Sequence, residues 1–199
     1  MSTLPEVWLA RHGETAWSLT SQHTGRTDVP LLPEGEAQAR RLGERLRGIP
    51  FAEVWTSPRE RARRTCELAG FGDRARVVED LHEWDYGEFE GLRRAEILVI
   101  DPDWDVFAEG APGGESPEDA AARADRVIAR LRAVPGNVLV VGHGHFSRAL
   151  GARWIGLPIR DAGHLLLSTA AVSVLGYEHG LLDPALRLWN DTHHLEDPR

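Results

Sequence analysis

The sequence predicts an α/β fold: a three-layer α/β/α sandwich around a mixed, mostly parallel sheet, formed by residues 1–199 as a single domain. Short apolar runs without polar alternation indicate strands that are covered on both faces. Amphipathic helical patterns lie between these runs, as in a layered α/β protein. The 199 residues are 42% hydrophobic and 27% charged, a balance typical of one globular domain with a sizeable core.

Three apolar runs predict the parallel strands: EVWLA at residues 6–10, EVWTS at 53–57 and NVLVVG at 137–142. Towards the C-terminus, HLLLST at 164–169, AAVSVLGYEH at 170–179 and ALRLWN at 185–190 follow one another without a helical pattern between them. We expect these three segments to be consecutive strands. The sheet therefore acquires antiparallel members near the end of the chain.

Helical periodicity predicts helices over residues 34–47, 117–132 and 146–154. Ser116 and Pro117 supply an N-cap and a first-turn proline for the second of these helices. Prolines and glycines interrupt any long period between residues 90 and 115. We interpret that segment as a lid or excursion over the functional site.

Charge and composition narrow the classes of ligand. The formal net charge of −8 argues against a general affinity for nucleic acid or for anionic membranes, since both need a broad basic surface. No apolar run is long enough for a signal sequence or a membrane span, so a cytoplasmic location is expected. The lone cysteine, Cys66, is interpreted as a core residue.

Two histidines follow predicted strands directly. Arg11, His12 and Gly13 come after the first strand, and His143 and Gly144 come after NVLVVG. Ligands of open α/β sheets gather at the carboxyl ends of strands, so both histidines are expected in one pocket. A single histidine is more often a hydrogen-bonded structural residue, and the coincidence of two favours a site.

The segment TSPRERARRT, residues 56–65, predicts a helix that starts at Ser57 and Pro58. On this helix Arg61 faces the side that packs on the sheet, where an arginine needs an anionic partner. A buried carboxylate and a substrate phosphate are both open as that partner.

A carboxyl group for general acid catalysis is expected in or next to the aromatic segment WDYGEFEG. Glu83 directly precedes it, and aromatic surroundings favour a carboxyl group that holds its proton. Asp85, Glu88 and Glu90 compete for the role, and sequence spacing does not choose among the four.

The combination of LARHGET, TSPRERARRT, LHEWDYGEFEG and VVGHGH, in this order, resembles the histidine phosphatase superfamily, also called phosphoglycerate mutase-like. The stretch QHTGRTDVPL and the HGH variant look most similar to sugar-phosphate phosphatases, including sedoheptulose bisphosphatases. The resemblance implies a phosphate pocket of Arg11, His12, Arg61 and His143, with Glu83 as the proton donor. His12 would carry the phosphoryl group, without a metal or another cofactor.

The resemblance also implies contacts to a small phosphorylated substrate from side chains in loops around the pocket. These substrate-binding residues are Ser18, Thr24, Gly25, Arg26, Tyr86, Gly144 and His145, with help from the segment 109–115. Many relatives carry asparagine where this chain has Ser18, and a helix-capping threonine where it has Leu32. Relatives are often dimers, so a homodimer is expected.

Three other functions stay open. A phosphoglycerate mutase would use the same five residues, but residues 97–115 contain no lysine or arginine for the substrate carboxylate. An inert phosphate-binding or interaction module would keep the site without turnover. A metallohydrolase would use His12, His143 and His145 as ligands, although the neighbouring Arg11 would repel a cation.

Overall fold

The protein was analysed as a computed structural model that describes residues 4–196. Its centre is a six-stranded sheet with the order β3-β2-β4-β1-β5-β6. The strands are β1 (Val7–Arg11), β2 (Phe51–Thr56), β3 (Ala75–Val77), β4 (Asn137–Gly142), β5 (Val172–Tyr177) and β6 (Pro184–Asp191). The four strands from β3 to β1 are parallel, and β5 and β6 join antiparallel. The mixed, mostly parallel sheet is therefore confirmed.

Seven α-helices surround the sheet in the described part of the chain. They are α1 (Ala16–Leu19), α2 (Pro33–Leu46), α3 (Glu60–Leu68), α4 (Arg94–Ile100), α5 (Val106–Glu109), α6 (Pro117–Arg132) and α7 (Gly144–Trp154). Short 3-10 helices cover Gly72–Arg74, Glu79–Leu81, Gly87–Phe89, Ile159–His164 and His193–Leu195. The three predicted helices are confirmed, and α7 begins two residues before the predicted 146 because His143 occupies the N-cap position.

Side chains on the two faces of the sheet build two separate apolar cores. Val138 and Val140 of β4 pack with α6 and α7, whereas Leu139 and Val141 pack with α2 and α3 on the other face. Because successive residues of a strand point to opposite faces, β4 is apolar at nearly every position. The three-layer sandwich follows from this continuous burial.

Two strand predictions need correction. HLLLST is not a strand, because the carbonyl oxygens of Leu166 and Leu167 accept hydrogen bonds from the side chains of Trp189 and Arg11 instead of from a neighbouring strand. The edge strand β3 was not predicted, because its three residues, ARV, are too few to show an alternating pattern.

The segment from residue 90 to 115 contains α4 and α5 and packs on a third apolar cluster. Ile97, Trp104 and Phe107 are buried there together with Trp84 and Tyr86. The function of this segment as a lid stays a prediction. Within residues 4–196, no helix combines the length and apolar character that crossing a bilayer requires.

Candidate active site

The carboxyl ends of β1 and β4 bring His12 and His143 side by side. These strands are parallel neighbours, with Arg11 in register with Gly142, and the backbone N–H of His12 donates to the Gly142 carbonyl at 2.9 Å. The two imidazole rings lie 5.3 Å apart between centroids, at 65°. Two histidines that are distant in sequence therefore lie next to each other at the carboxyl ends of neighbouring parallel strands.

His12 is held in one orientation and in one tautomer. Its Nδ1 lies 2.7 Å from the carbonyl oxygen of Gly13, which accepts the Nδ1–H and leaves Nε2 with a free lone pair. Burial, together with the positive charges of Arg61 and Arg11, holds the pKa of His12 well below its usual 6.5. The imidazole is thus neutral, as a nucleophile must be.

Gly13 is required by a close backbone contact. A Cβ atom at this position would lie 2.2 Å from the carbonyl oxygen of Gly35 in α2. The loop that carries His12 therefore packs directly on α2, and the Gly13 N–H donates to the Thr65 hydroxyl at 3.0 Å. These contacts fix the backbone on which the imidazole stands.

Arg61 is completely buried at 0% exposure, but its partner is not a carboxylate. Its terminal nitrogens donate to the carbonyl oxygens of Thr24, Gly25 and Thr27 at 2.8, 3.2 and 2.9 Å. Within residues 4–196 it makes no ion pair, so the buried-carboxylate interpretation is wrong. Burial lowers the pKa of Arg61, partly offset by the charge of Glu83.

Several buried nitrogens of the site have no hydrogen-bond partner among the described residues. They include Nε of Arg11, Nε of Arg61 and Nδ1 of His143. A buried donor without a partner costs about 1–3 kcal/mol, so such atoms are rare in a folded protein. An anion bound between them would supply the missing acceptors.

Ser57 is buried next to His143 and does not begin the helix. Helix α3 starts at Glu60 with Arg59 as N-cap residue, so the predicted start at Ser57 and Pro58 is wrong. The Ser57 hydroxyl instead lies 2.6 Å from Nε2 of His143 and accepts from the Arg59 N–H. Sequence analysis did not predict this contact between Ser57 and His143, because serine before proline is a common helix start.

Glu83 is the carboxylate that lines the cavity, and geometry separates it from its three competitors. Its oxygens accept from the backbone N–H groups of Trp84, His145 and Phe146 at 2.9, 2.9 and 2.8 Å. Two of these N–H groups belong to the first turn of α7, where the helix dipole favours negative charge.

The competing carboxylates are engaged elsewhere. Asp85 pairs with Arg26 at 2.5 Å, and Glu90 accepts from the backbone N–H groups of Gly25 and Thr27. Glu88 is exposed at the surface. Glu83 is thereby the candidate proton donor of this site.

A cavity of about 340 Å³ opens in front of His12 and Glu83. Eight predicted site residues line it: Arg11, His12, Ser18, Thr24, Glu83, Tyr86, Gly144 and His145. Arg61 and His143 are buried behind this wall. Gly25 and Arg26 are not part of it: Gly25 holds Glu90 and Arg61 through its backbone, and the Arg26 side chain is 73% exposed.

Sequence analysis missed a polar rim of the cavity. Gln22, His23 and Arg94 line it, as do Ser21 and Leu167, whereas Arg148 on the same wall follows the HGH motif closely enough in sequence to be expected near the site. The His23 ring stacks on the ring of His145 at 5.8 Å and 23°, and the His145 Nδ1 lies 2.6 Å from the Tyr86 hydroxyl. The stretch QHTGRTDVPL contains Gln22 and His23, but spacing alone gives no reason to select them.

Ser18 lines the cavity, but its hydroxyl is engaged within α1. It accepts from the backbone N–H of Thr15 at 2.8 Å and donates to the Thr15 carbonyl at 3.1 Å. These bonds and the Thr15 side chain form a capping box. At the start of α2, by contrast, the N-cap residue Leu32 makes no side-chain hydrogen bond to the helix, and Pro33 follows it.

The fold and the site together define the class of protein. It is an α/β protein in which a neutral, oriented imidazole lies beside buried arginine and histidine nitrogens, and a carboxylate lines the same cavity. A phosphoryl group carries its charge on three equatorial oxygens and matches such a pocket.

The chain belongs to the histidine phosphatase superfamily (branch 1), whose sequence model matches residues 7–192. An acid phosphatase of Mycobacterium tuberculosis is 41% identical over 177 residues, which cover 87% of each chain. The sedoheptulose 1,7-bisphosphatase of Saccharomyces cerevisiae is 34% identical over 191 residues, covering 80% of this chain and 70% of that protein.

Comparison with solved structures agrees with this assignment. The structure of the product of a Mycobacterium tuberculosis open reading frame superimposes with a TM-score of 0.89 at 39% identity, covering 94% of this chain and 97% of that one. The resemblance predicted from the sequence motifs is confirmed.

Proposed function

We propose that this chain is a metal-independent histidine phosphatase that hydrolyses a small phosphate monoester, with a sugar phosphate as the preferred class. The observation that carries the proposal is the arrangement around His12. A neutral imidazole with a free Nε2 lies beside Arg11, Arg61 and His143, each of which has one buried nitrogen without a hydrogen-bond partner among the described residues. Such preorganised donors stabilise charge that develops during phosphoryl transfer.

In the first step, Nε2 of His12 forms a bond to phosphorus while the bond from phosphorus to the ester oxygen breaks. The proton of Glu83 moves to the leaving alkoxide, and the guanidinium groups of Arg11 and Arg61 balance the charge on the equatorial oxygens. The products are an alcohol and phosphohistidine.

In the second step, a water molecule attacks phosphorus on the opposite side from the His12 nitrogen. The Glu83 carboxylate accepts a proton from this water, and the phosphorus–nitrogen bond breaks. Inorganic phosphate leaves, and Glu83 is protonated again for the next cycle. The lowered pKa of His12 keeps its nitrogen available below pH 6.5, which suits a relative of an acid phosphatase.

The cavity wall supports a polar, hydroxylated substrate. Its volume of about 340 Å³ lies in the range of small-molecule sites. Hydroxyl, amide and imidazole groups of Ser21, Gln22 and His23 face it, with the cationic side chains of Arg94 and Arg148 at the same wall. A sugar phosphate with a second anionic group fits this distribution, and one relative is named as a bisphosphatase.

Arg94 also supports a second candidate function. A phosphoglycerate mutase needs a cation for the substrate carboxylate, and Arg94 lines the cavity although residues 97–115 hold no basic side chain. With a bisphosphoglycerate primer, a mutase would interconvert phosphoglycerates faster than it releases phosphate. The opposite ratio supports the phosphatase.

A metallohydrolase and an inert binding module have less support. Within residues 4–196, no group of three or more histidine, cysteine or acidic side chains is arranged to hold a metal ion. The two guanidinium groups beside His12 would in addition repel a cation. An inert module would have little reason to keep a carboxylate and an oriented imidazole across one cavity.

The deciding experiment is mass spectrometry of wild-type protein and of His12→Ala, mixed briefly with sugar phosphates and quenched in alkali, where phosphohistidine survives. We expect a phosphoryl group on His12 together with released phosphate in the wild type, and neither in the variant. His179→Ala is the matched control, since His179 is 81% exposed and outside the cavity wall. Turnover that persists in His12→Ala would overturn the mechanism.

A further inference from the structure

A buried ion pair lies behind Glu83, outside the cavity wall. Arg123 of α6 and Glu115, next to the helix N-cap Ser116, are joined by two hydrogen bonds of 2.7 and 2.6 Å. Their side chains are only 4% and 10% exposed. A bidentate pair of this kind fixes both position and orientation.

Arg123 holds the backbone that precedes Glu83. Its NH1 donates to the carbonyl oxygens of Asp80 and His82 at 2.9 and 2.8 Å. The flat side of its guanidinium covers Phe146, with 3.7 Å between the central carbon and the ring centroid. Since the Phe146 N–H donates to the Glu83 carboxylate, Arg123 touches both the backbone that carries Glu83 and the helix end that binds it.

Glu115 holds the backbone that follows Glu83. Its carbonyl oxygen accepts from the indole Nε1 of Trp84 at 2.9 Å, and its N–H donates to the Asp85 carbonyl at 2.9 Å. The residues on both sides of Glu83 are therefore fixed by the two members of one ion pair. The pair therefore fixes the backbone around Glu83 in addition to stabilising the core.

We propose that the Arg123–Glu115 pair positions the proton donor of the reaction. This inference rests on the proposed phosphatase function. As the His12 nitrogen bonds to phosphorus and the ester bond breaks, the Glu83 proton must reach the leaving oxygen at hydrogen-bond distance. The pair fixes the backbone on both sides of Glu83, whose carboxylate lies 2.9 and 2.8 Å from the backbone nitrogens of His145 and Phe146 in α7, so Arg123 and Glu115 are positioning residues.

The contacts of Arg123 depend on the geometry of its guanidinium group. One planar group meets a carboxylate, two carbonyls and an aromatic face at the same time, and an ammonium group has neither the fork nor the flat surface for this. Arg123→Lys therefore keeps the charge and loses the positioning. Glu115→Gln keeps the shape of the partner and removes its charge.

Leaving groups of different acidity separate positioning of a proton donor from general damage. An alkyl ester such as a sugar phosphate needs a proton on its leaving oxygen, whereas 2,4-dinitrophenyl phosphate releases a stable phenolate without one. The measured quantity is the ratio of kcat/KM for the two esters in one preparation. Because both values scale with the active fraction, partial unfolding of a variant cancels in the ratio.

We expect Arg123→Lys to lower the ratio of alkyl to aryl kcat/KM by about 10-fold or more, which is part of the 10²–10⁴-fold that general acid catalysis contributes. Glu115→Gln should move the ratio in the same direction and provides a second test if Arg123→Lys folds poorly. Glu83→Gln removes the proton donor itself and should give the largest decrease in this ratio. In the Glu83→Gln background, Arg123→Lys should change the ratio less than about 2-fold, because no donor remains to be positioned.

Arg126→Lys is the matched control, since Arg126 lies on the exposed side of α6 and pairs with the Asp80 side chain at 3.1 Å. Its ratio should equal that of the wild type. An equal loss on both esters in Arg123→Lys and Glu115→Gln, or no loss on either, would overturn the inference and leave the phosphatase function intact. A wild type that releases phosphate from neither ester would instead refute the proposed function.

Discussion

Two arginines of this protein are equally inaccessible but differ in their partners. Arg61 and Arg123 are 0% and 3% exposed. Arg123 meets the Glu115 carboxylate and two carbonyls, whereas Arg61 meets three carbonyls and keeps Nε without a partner. A buried cation is normally neutralised by a neighbouring carboxylate, and only Arg123 follows this rule.

The difference supports the proposal that Arg61 binds the phosphate group of a ligand. The charge of Arg123 is used within the fold, where it orders the backbone around Glu83. The charge of Arg61 is positioned by carbonyl dipoles beside His12, and within residues 4–196 it makes no ion pair. The following predictions test this contrast, from the largest expected effect to the smallest.

The largest effect should be on the activity of Arg61→Met. We expect kcat/KM to fall by about 10⁴-fold, or about 5.5 kcal/mol, because a guanidinium on the transferred phosphoryl group is worth 10³–10⁵-fold. Alkyl and aryl esters should lose equally, since the equatorial oxygens are common to both. Arg63→Met on the exposed side of α3 serves as control, and a loss below about 10-fold would contradict the assignment.

The free energy of unfolding should respond in the opposite order, with a larger decrease in Arg123→Met than in Arg61→Met. Arg123→Met strands the buried Glu115 carboxylate, so the free energy of unfolding should fall by about 3–5 kcal/mol in urea titrations. Replacing Glu115 by methionine as well should recover part of this loss. Arg61→Met leaves no carboxylate behind and should cost less. Equal losses for Arg61→Met and Arg123→Met would remove the basis of the contrast.

Phosphate should stabilise the protein only when Arg61 is present. At a phosphate concentration 100 times Kd, the free energy of unfolding should rise by about 2.7 kcal/mol in the wild type. The same concentration should leave Arg61→Met unchanged and should still stabilise Arg123→Lys. Thermal melting with chloride at equal ionic strength gives the baseline. Full stabilisation of Arg61→Met would show that phosphate binds elsewhere.

The smallest effect concerns the pH dependence of stability at the two histidines beside Arg61. Burial and neighbouring cations lower the pKa of both His12 and His143. Below pH 6.5 the unfolded chain therefore binds more protons, and stability is present above pH 6.5 and lost as pH falls. Each histidine should contribute about 1.4 kcal/mol per pH unit.

His143→Gln should reduce this slope by about 1.4 kcal/mol per pH unit in unfolding experiments between pH 5 and pH 6.5. Arg126→Lys, which is remote from both rings, should keep the slope of the wild type. An unchanged slope in His143→Gln would mean that His143 is protonated in the folded protein.

The sequence predicted those parts of the fold in which one local signal dominates. Helix α6 begins at Pro117 and ends at Arg132, as predicted, because its cap, its first-turn proline and its apolar stripe agree. HLLLST has strong strand propensity, but side chains from distant segments bind its carbonyl oxygens. That competition depends on tertiary contacts and is invisible in a window of neighbouring residues.

The site shows the same division. His12 and His143 could be placed together because each directly follows a strand. Arg61 could be selected by its helical face, although its carbonyl partners could not. Glu115 was expected near the substrate, and it instead pairs with Arg123, whose position on α6 reads as an ordinary helix arginine. Contacts between residues brought together only by folding carry no periodic signal.

The order of strands in the sheet has a consequence for synthesis on the ribosome. The strand that bears His12 is β1, and its two neighbours in the sheet are β4 and β5, near the other end of the chain. At 5–20 residues per second, both edges of this strand stay unpaired for roughly six to twenty-six seconds, until β4 has been synthesised. A growing polypeptide therefore has His12 and His143 far apart until β4 pairs with β1, and chaperones have time to bind this strand.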